Sequence, residues 1–341
     1  MTATVPNAPE LDGVSHPAPD TSEPSELKGK SGRGFNRRRG VTIAVSVAAA
    51  LVVAAALNFV VGAPMIHEID NGSDILAVET PDNESRAIAA AVALIEREVN
   101  EHRWTPNDPW FAPSSLLDNM PNFQAGIMRA VGRFSFEMLD QVARRRGSSA
   151  ADADLERATG FLQFPPDVWV MDLRRSFLPT VPSENQYREG LAALERYNER
   201  LAAGNAVFER RADTLAGPLS RIAADLGSLT AQLESGQQTG WWIFSTAADD
   251  VFYQNKGMLY GYYVLLSALG DDFESVIRER NLEAVFEQTL DSLREGAQLQ
   301  PMVVLNGGIE RSIFANHLAL QGFYLKRVII QLEEVVSVLE V

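Results

Sequence analysis

Residues 183–233 read SENQYREGLAALERYNERLAAGNAVFERRADTLAGPLSRIAADLGSLTAQL. A four-three spacing runs through them: Tyr187, Leu191, Leu194, Asn198, Leu201, Asn205, Phe208, Ala212, Leu215, Leu219, Ile222, Leu226, Leu229 and Leu233. That spacing keeps one stripe on one side of a helix, so the stretch is read as helix carrying a heptad seam. Ser183 and Gln186 have the spacing of a capping box, which would start the helix there. Asn198 and Asn205 lie on the seam, where polar residues trade stability for register. Gly217-Pro218 should interrupt it, because proline lacks an N–H and its ring clashes with the preceding turn. The expectation is one long kinked helix or two in line. The seam either packs within the chain, as in an antiparallel hairpin, or binds a protein partner or a second copy.

The same periodicity extends outward. Downstream, Val251, Asn255, Met258, Tyr262, Leu265 and Leu269 form a stripe that Phe252, Leu259, Tyr263 and Leu266 widen, so this helix should be buried around much of its circumference. A further helix is expected from about Leu282 to Leu299. After a turn at Asn306-Gly307-Gly308 the heptad returns as Phe314, Leu318, Gln321, Leu325, Val328, Leu332, Val335 and Leu339, a seam fit to pack against part of the 187–233 seam. Upstream, Ile88, Val92, Ile95 and Val99 form one stripe, with Glu96, Arg97, Glu98 and Glu101 mostly off it. Phe123, Ile127, Val131, Phe134 and Met138 form another, ending near Arg146 before Gly147-Ser148-Ser149. A short helix is expected around Leu155–Phe161, and Pro165, Pro166, Pro179 and Pro182 bracket a loop. The fold class is all-α, an extracytoplasmic helical bundle following a single N-terminal transmembrane helix.

That helix is residues 41–61, VTIAVSVAAALVVAAALNFVV, which carry no charge. At about 1.5 Å per residue the run spans a hydrocarbon core of roughly 30 Å. Lys28, Lys30, Arg33, Arg37, Arg38 and Arg39 precede it, and Glu68 and Asp70 follow, so the positive-inside rule puts the N-terminus in the cytoplasm. The organisation expected is a disordered cytoplasmic tail with a basic juxtamembrane cluster over 1–40, a bilayer-spanning anchor over 41–62, a linker over 63–83 and an extracytoplasmic helical domain over 84–341. The location implied is a cell membrane crossed once.

The formal charge of the 341-residue chain is −15, and the acidic excess lies beyond the anchor. Such a surface repels phosphate backbones, which argues against nucleic acid as a partner. With no cysteine, thiol nucleophiles, disulfides and thiolate metal sites are excluded. Four histidines, His16, His67, His102 and His317, occur in no metal-ligating spacing, and no nucleophile elbow is present. No catalytic residue, cofactor or metal is assigned. Asp249-Asp250, Asp271-Asp272 and Glu333-Glu334 are helix neighbours pointing about 100° apart, which suits a solvated face better than a shared site.

Two stretches remain as candidate ligand or interaction surfaces. One is Trp104-Thr105-Pro106-Asn107-Asp108-Pro109-Trp110-Phe111, continuing to Gln124. Its Trp104 and Trp110 could line a concavity in which Asn107, Asp108, Asp118, Asn119 and Asn122 meet a polar ligand. Equally, the carboxamides and carboxylates could cap turns while the tryptophans dock on the bundle. The other is Trp241-Trp242-Ile243-Phe244, at the end of the bundle or at a membrane interface.

WTPNDPWF, LDNMPNFQ at 117–124 and Asp225-Leu226-Gly227-Ser228, behind a single anchor, resemble the DUF2333 family of uncharacterised bacterial membrane-anchored proteins. The resemblance implies a bacterial envelope protein, held in the inner membrane with residues 84–341 as its periplasmic domain, and transfers no activity or catalytic residue. The function expected is a membrane-anchored scaffold or regulatory protein at the periplasmic face. The alternatives are a ligand- or lipid-binding module using Trp241-Trp242 and the helix after them, or an enzyme acting on cell-wall glycan or lipid with Asp108 or Asp118 as acid or base.

Overall fold

The computed structural model describes residues 33–65, 80–81, 83–109, 111–112, 119–145, 151–171, 177–239, 246–299 and 317–341. The described residues are helices and connecting turns, without a strand. Contacts divide the chain into two units, Met1–Val53 and Ala54–Val341.

The first helix, α1, is Arg33–Met65 and contains the whole 41–61 run. Its described apolar side chains, among them Val41, Ile43, Val47, Leu51 and Val53, are all exposed. Among the described residues no helix is long and apolar enough to cross a membrane. Side chains from residue 57 to the end of α1 lie outside the described set, so only the first two-thirds of the apolar run is represented.

In the second unit the most deeply buried of the long helices is α7, Thr246–Asp272. Phe252, Met258, Leu259, Tyr260, Tyr262, Val264, Leu265 and Leu266 are inaccessible to solvent, so it is buried on nearly every side, as its doubled stripe requires. α2, Arg86–Glu96, lies against it and buries Ile88, Ala91, Leu94 and Ile95. α3, Asn119–Arg145, packs along it more extensively than any other element. Small residues permit that approach. A Cβ on Gly126 would sit 2.1 Å from the Gln254 carbonyl oxygen, and one on Gly257 would sit 2.0 Å from that of Phe123. Gly261 meets Ala130 in the same way. Gly126 and Ala130 on α3 thus face Gly257 and Gly261 on α7, two small-xxx-small pairs that bring backbones together.

The long seam is not one helix. α5 is Ser183–Ala202 and α6 is Ala212–Thr239. The break falls at Gly204, in the left-handed region at φ 72°. Gly204 N–H donates to the Leu201 carbonyl and Asn205 N–H to that of Arg200, the paired bonds of a Schellman termination. Asn205, read as a seam residue, is exposed in this turn. Gly217-Pro218, expected to interrupt the helix, lies inside α6. Burial of Leu215, Leu219, Ile222, Leu226 and Leu229 carries the helix through the proline. The two halves of the seam have different neighbours: α5 packs on α4, Ala153–Leu162, and on α2, whereas α6 packs on α10, His317–Leu339. The pairing expected between the final heptad and the earlier seam is the α6–α10 contact. Leu318, Leu325, Val328, Leu332 and Val335 are buried there, with Gln321. Both seams are therefore covered by helices of the same chain. α9, Glu283–Gln298, lies against α7 and α10, joined to α7 through the short α8, Glu274–Glu279, which the periodicity did not reveal.

The capping box at Ser183 is not formed. Pro182 occupies the cap position of α5. The Ser183 hydroxyl instead donates to the Pro165 carbonyl at 2.7 Å and accepts from Val168 N–H at 3.0 Å, fastening the proline-bracketed loop to the start of the helix. The turns at 147–149 and 306–308, and Phe314, lie outside the described residues.

Candidate functional site

The polar residues that the fold gathers lie where α2 ends. α2 runs into one turn of π-helix, Arg97–Glu101, closed by His102 N–H on the Arg97 carbonyl. Such i→i+5 turns are rare inside helices and recur at functional sites. Here the wider turn places Arg97 and Glu98 inside the bundle, although their sequence positions suggested a solvated face. The Arg97 guanidinium lies 2.7 Å from Glu98 Oε1, donates to the Tyr260 hydroxyl at 2.8 Å and sits 4.9 Å above the Tyr260 ring. Gln124 donates to Glu98 Oε2 at 3.2 Å and to the Arg103 carbonyl at 3.0 Å. His102 Nδ1 lies 3.9 Å from the same carboxylate oxygen. Burial opposes charge on Glu98. His102, Arg97 and Gln124 together outweigh it and hold the carboxyl below its usual range. Burial likewise disfavours the Arg97 cation, yet Glu98 and Tyr260 keep it firmly protonated.

From this pair the bonding continues into the Trp104–Gln124 segment. The Gln124 side-chain oxygen accepts from the N–H and the hydroxyl of Thr105, at 3.0 and 2.8 Å. Trp104 is buried edge-on against Tyr187 with centroids 5.1 Å apart, and its indole donates to the Pro166 carbonyl at 3.2 Å. Asn107 donates to the Val168 carbonyl at 2.8 Å and to Glu184 at 2.6 Å. Asp108 pairs with Arg103 at 2.9 Å. Asn119 is the first residue of α3, and Asn122 donates to Asp250 at 2.8 Å. Among the described members of the set, Trp104 and Asn107 face the 165–168 loop and α5, whereas Asn122 faces α7. Trp110, Asp118, Trp241 and Trp242 lie outside the described residues.

Sequence reasoning missed a second junction. Asp272, placed on a solvated face beside Asp271, is buried at the N-terminus of α2. It accepts from Ser85 Oγ at 2.7 Å and from the N–H groups of Arg86 and Ala87 at 3.0 Å each. Asn198, one of the polar seam residues, accepts from Ser85 N–H at 2.9 Å and donates to the Ser85 carbonyl. The first turn of α2 is thus tied to α5 and α7, and a helix N-terminus favours the carboxylate charge it meets. No local spacing signals this, because the partners lie more than a hundred residues apart. Asp271 stays exposed, and Glu333 and Glu334 form the solvated face expected of them.

Chemically these two junctions are fasteners. Their carboxylates are paired with cations, amides and backbone N–H groups that hold helices in place. Among the described residues no cluster of three histidine, aspartate or glutamate side chains is arranged to hold a metal ion.

These features define an all-helical bundle organised around a buried central helix and pinned by long-range polar ties. Residues 85–239 and 233–340 match the family model described as an uncharacterized protein conserved in bacteria, DUF2333, and the chain belongs to that family. The match begins at Ser85, so it covers the bundle and not the apolar helix before it. No curated protein and no solved structure matches the chain.

Proposed function

We propose that this protein is a membrane-anchored scaffold or regulatory protein of the bacterial envelope, with residues 41–62 in the inner membrane and the bundle on the periplasmic side. The observation that carries the reading is α1. Its described side chains from Val41 to Val53 are uncharged and exposed all round the helix, and all of them but Thr42 and Ser46 are apolar. A helix hydrophobic on every side needs an apolar environment on every side, and the basic cluster before it sets the direction of insertion. A scaffold role is supported by polar groups that fasten helices together. Because the heptad seams are covered within the chain, partners would meet the outer surface of the bundle. Exposed Leu320, Phe323 and Ile330 on α10 belong to that surface.

Crosslinking in cells that express the tagged full-length chain, followed by purification and quantification of what accompanies it, tests the role. A membrane or periplasmic protein recovered in fixed ratio supports a scaffold. Recovery of the chain alone, at crosslinker doses that capture known envelope complexes, would remove that role.

A further inference from the structure

The loop between α4 and α5 is closed as an irregular hairpin. Ser183 N–H donates to the Val168 carbonyl at 3.1 Å, and Thr180 N–H to the Val170 carbonyl at 2.9 Å. Val168 N–H donates back to Ser183 Oγ at 3.0 Å, and the Thr180 hydroxyl donates to the Trp169 carbonyl at 2.7 Å. Pairing 168 with 183 and 170 with 180 makes the two arms antiparallel.

The polar groups of the arms face inward to these bonds, and the apolar side chains do not. Phe177 is 90% exposed, Leu178 73% and Val181 54%, with Val170 and Met171 exposed on the opposite arm. Phe111 joins them, exposed and edge-on to Trp169 with ring centroids 6.0 Å apart. Single exposed apolar residues are ordinary, but six around one loop mark a surface that meets an apolar medium or partner.

Three observations favour a bilayer over a protein. A stable protein interface engages about 20–30 residues a side, far more than this hairpin offers. Its most exposed side chains are aromatic and aliphatic, and such groups enter the membrane interface without needing a shaped groove. The third is charge. Residues 168–171 and 177–183 carry none, and Asp172-Leu173-Arg174-Arg175-Ser176, which join them in sequence, hold two cations and one acid. In a chain of net charge −15 that local cationic excess suits anionic headgroups. Asp167 and Glu184 flank the base, where Glu184 accepts from Asn107.

We propose that the 168–183 hairpin is a second membrane contact, its apolar side chains entering the interfacial layer of the bilayer crossed by residues 41–62. This contact rests on the anchored reading of α1, which brings the bundle within reach of the bilayer.

The test uses the full-length chain in vesicles of phosphatidylcholine and phosphatidylglycerol in equal parts. The chain has no cysteine, so Met171→Cys and Ala203→Cys each accept one nitrobenzoxadiazole label. Ala203 follows α5, a helix of 20 residues, and so lies about 30 Å from the hairpin base. Doxyl lipid in both leaflets should quench most of the emission at 171 and leave that at 203 unchanged. Phe177→Ser combined with Leu178→Ser should lower quenching at 171 to the level at 203. Circular dichroism should stay the same, because both side chains are exposed. Equal quenching at 171 and 203 would overturn the proposal and leave the hairpin to a protein partner. Quenching at 171 that survives the double substitution would overturn it too. Alkaline extraction reads the anchor separately. Retention of the chain without quenching at 171 removes the hairpin contact alone, and release of the chain with quenching intact removes the anchor alone.

Discussion

Gly257 and Phe123 approach so closely that a methyl group on the glycine would lie 2.0 Å from the phenylalanine carbonyl oxygen. The obstacle is backbone on both sides, so no rotamer change relieves it. Gly257→Ala must push α3 and α7 apart along the most extensive contact in the bundle. It should destabilise the protein by about 3 kcal/mol or more, the upper end of overpacking costs. Gly160→Ala, in α4 with nothing within 4 Å of the added carbon, should instead stabilise by about 0.5–1 kcal/mol. Urea unfolding followed by circular dichroism compares the two. Equal effects would show that the α3–α7 spacing is not set by glycine.

Asp272 and Asp271 are adjacent in sequence and opposite in environment. Asp272→Ala removes the acceptor for Ser85 Oγ and two N–H groups of α2, and should cost about 2–4 kcal/mol. Asp271 is exposed and pairs with exposed Arg86, so Asp271→Ala should change stability by less than about 0.5 kcal/mol. Hydrogen exchange at Ala87 and Ile88 should rise in the first variant and stay unchanged in the second.

Glu98 carries a pH signature. Its folded carboxyl titrates below the unfolded value of about 4.3. The stability it contributes is fully present above that value and is lost as pH falls through the folded one. Glu98→Gln leaves the Arg97 cation buried without its carboxylate and should cost about 3 kcal/mol at pH 7. The gap between the native chain and the variant should then narrow as pH is lowered below about 4. A constant gap from pH 7 to pH 3 would show that Glu98 acts by packing alone.

Lys256 behaves in the opposite sense. It is 1% exposed, its ammonium donates to the Leu299 carbonyl at 2.8 Å and lies 5.9 Å from the centre of the Tyr253 ring, and burial pushes its pKa down to about 8. Between about 8 and the unfolded value near 10.4 the unfolded chain binds more protons, so this residue's contribution to stability rises with pH in that window. Lys256→Met should therefore be more stable than the native chain at pH 7, by about 1–3 kcal/mol after loss of the hydrogen bond. Its advantage should shrink toward pH 10. A lysine titrating normally would give a difference independent of pH over that range.

The fold was legible wherever burial follows a helical period. The stripes at 88–99, 123–138 and 251–269 and the described part of the final heptad, from Leu318, each become helix with most of those residues buried. What periodicity could not resolve was where helices stop and what they touch. Gly217-Pro218 looked like the stronger break, yet packing on both sides carries α6 through it. The actual break, at Gly204, needs only one left-handed residue and two backbone bonds. The ties at Ser85–Asp272 and Arg97–Tyr260 were illegible because they join residues 187 and 163 positions apart. Arg97 and Glu98 were misplaced because a π turn alters the period that the reading assumes. Within the candidate surface, Trp104 and Asn107 dock on the bundle and hydrogen-bond within it. Their partners, on the 165–168 loop and α5, had no signature.

Membrane topology tests the central claim most directly. The native chain has no cysteine, so single cysteines can be introduced at Lys28, in the basic tail, and at exposed Ala203, in the bundle. Each variant is treated in intact spheroplasts with a maleimide that cannot cross the inner membrane. Ala203→Cys should react at once and Lys28→Cys only after the membrane is permeabilised, while the chain stays in alkali-washed membranes. Reaction of both sites in intact spheroplasts, protection of both, or release of the chain by alkali would contradict an envelope protein held by residues 41–62.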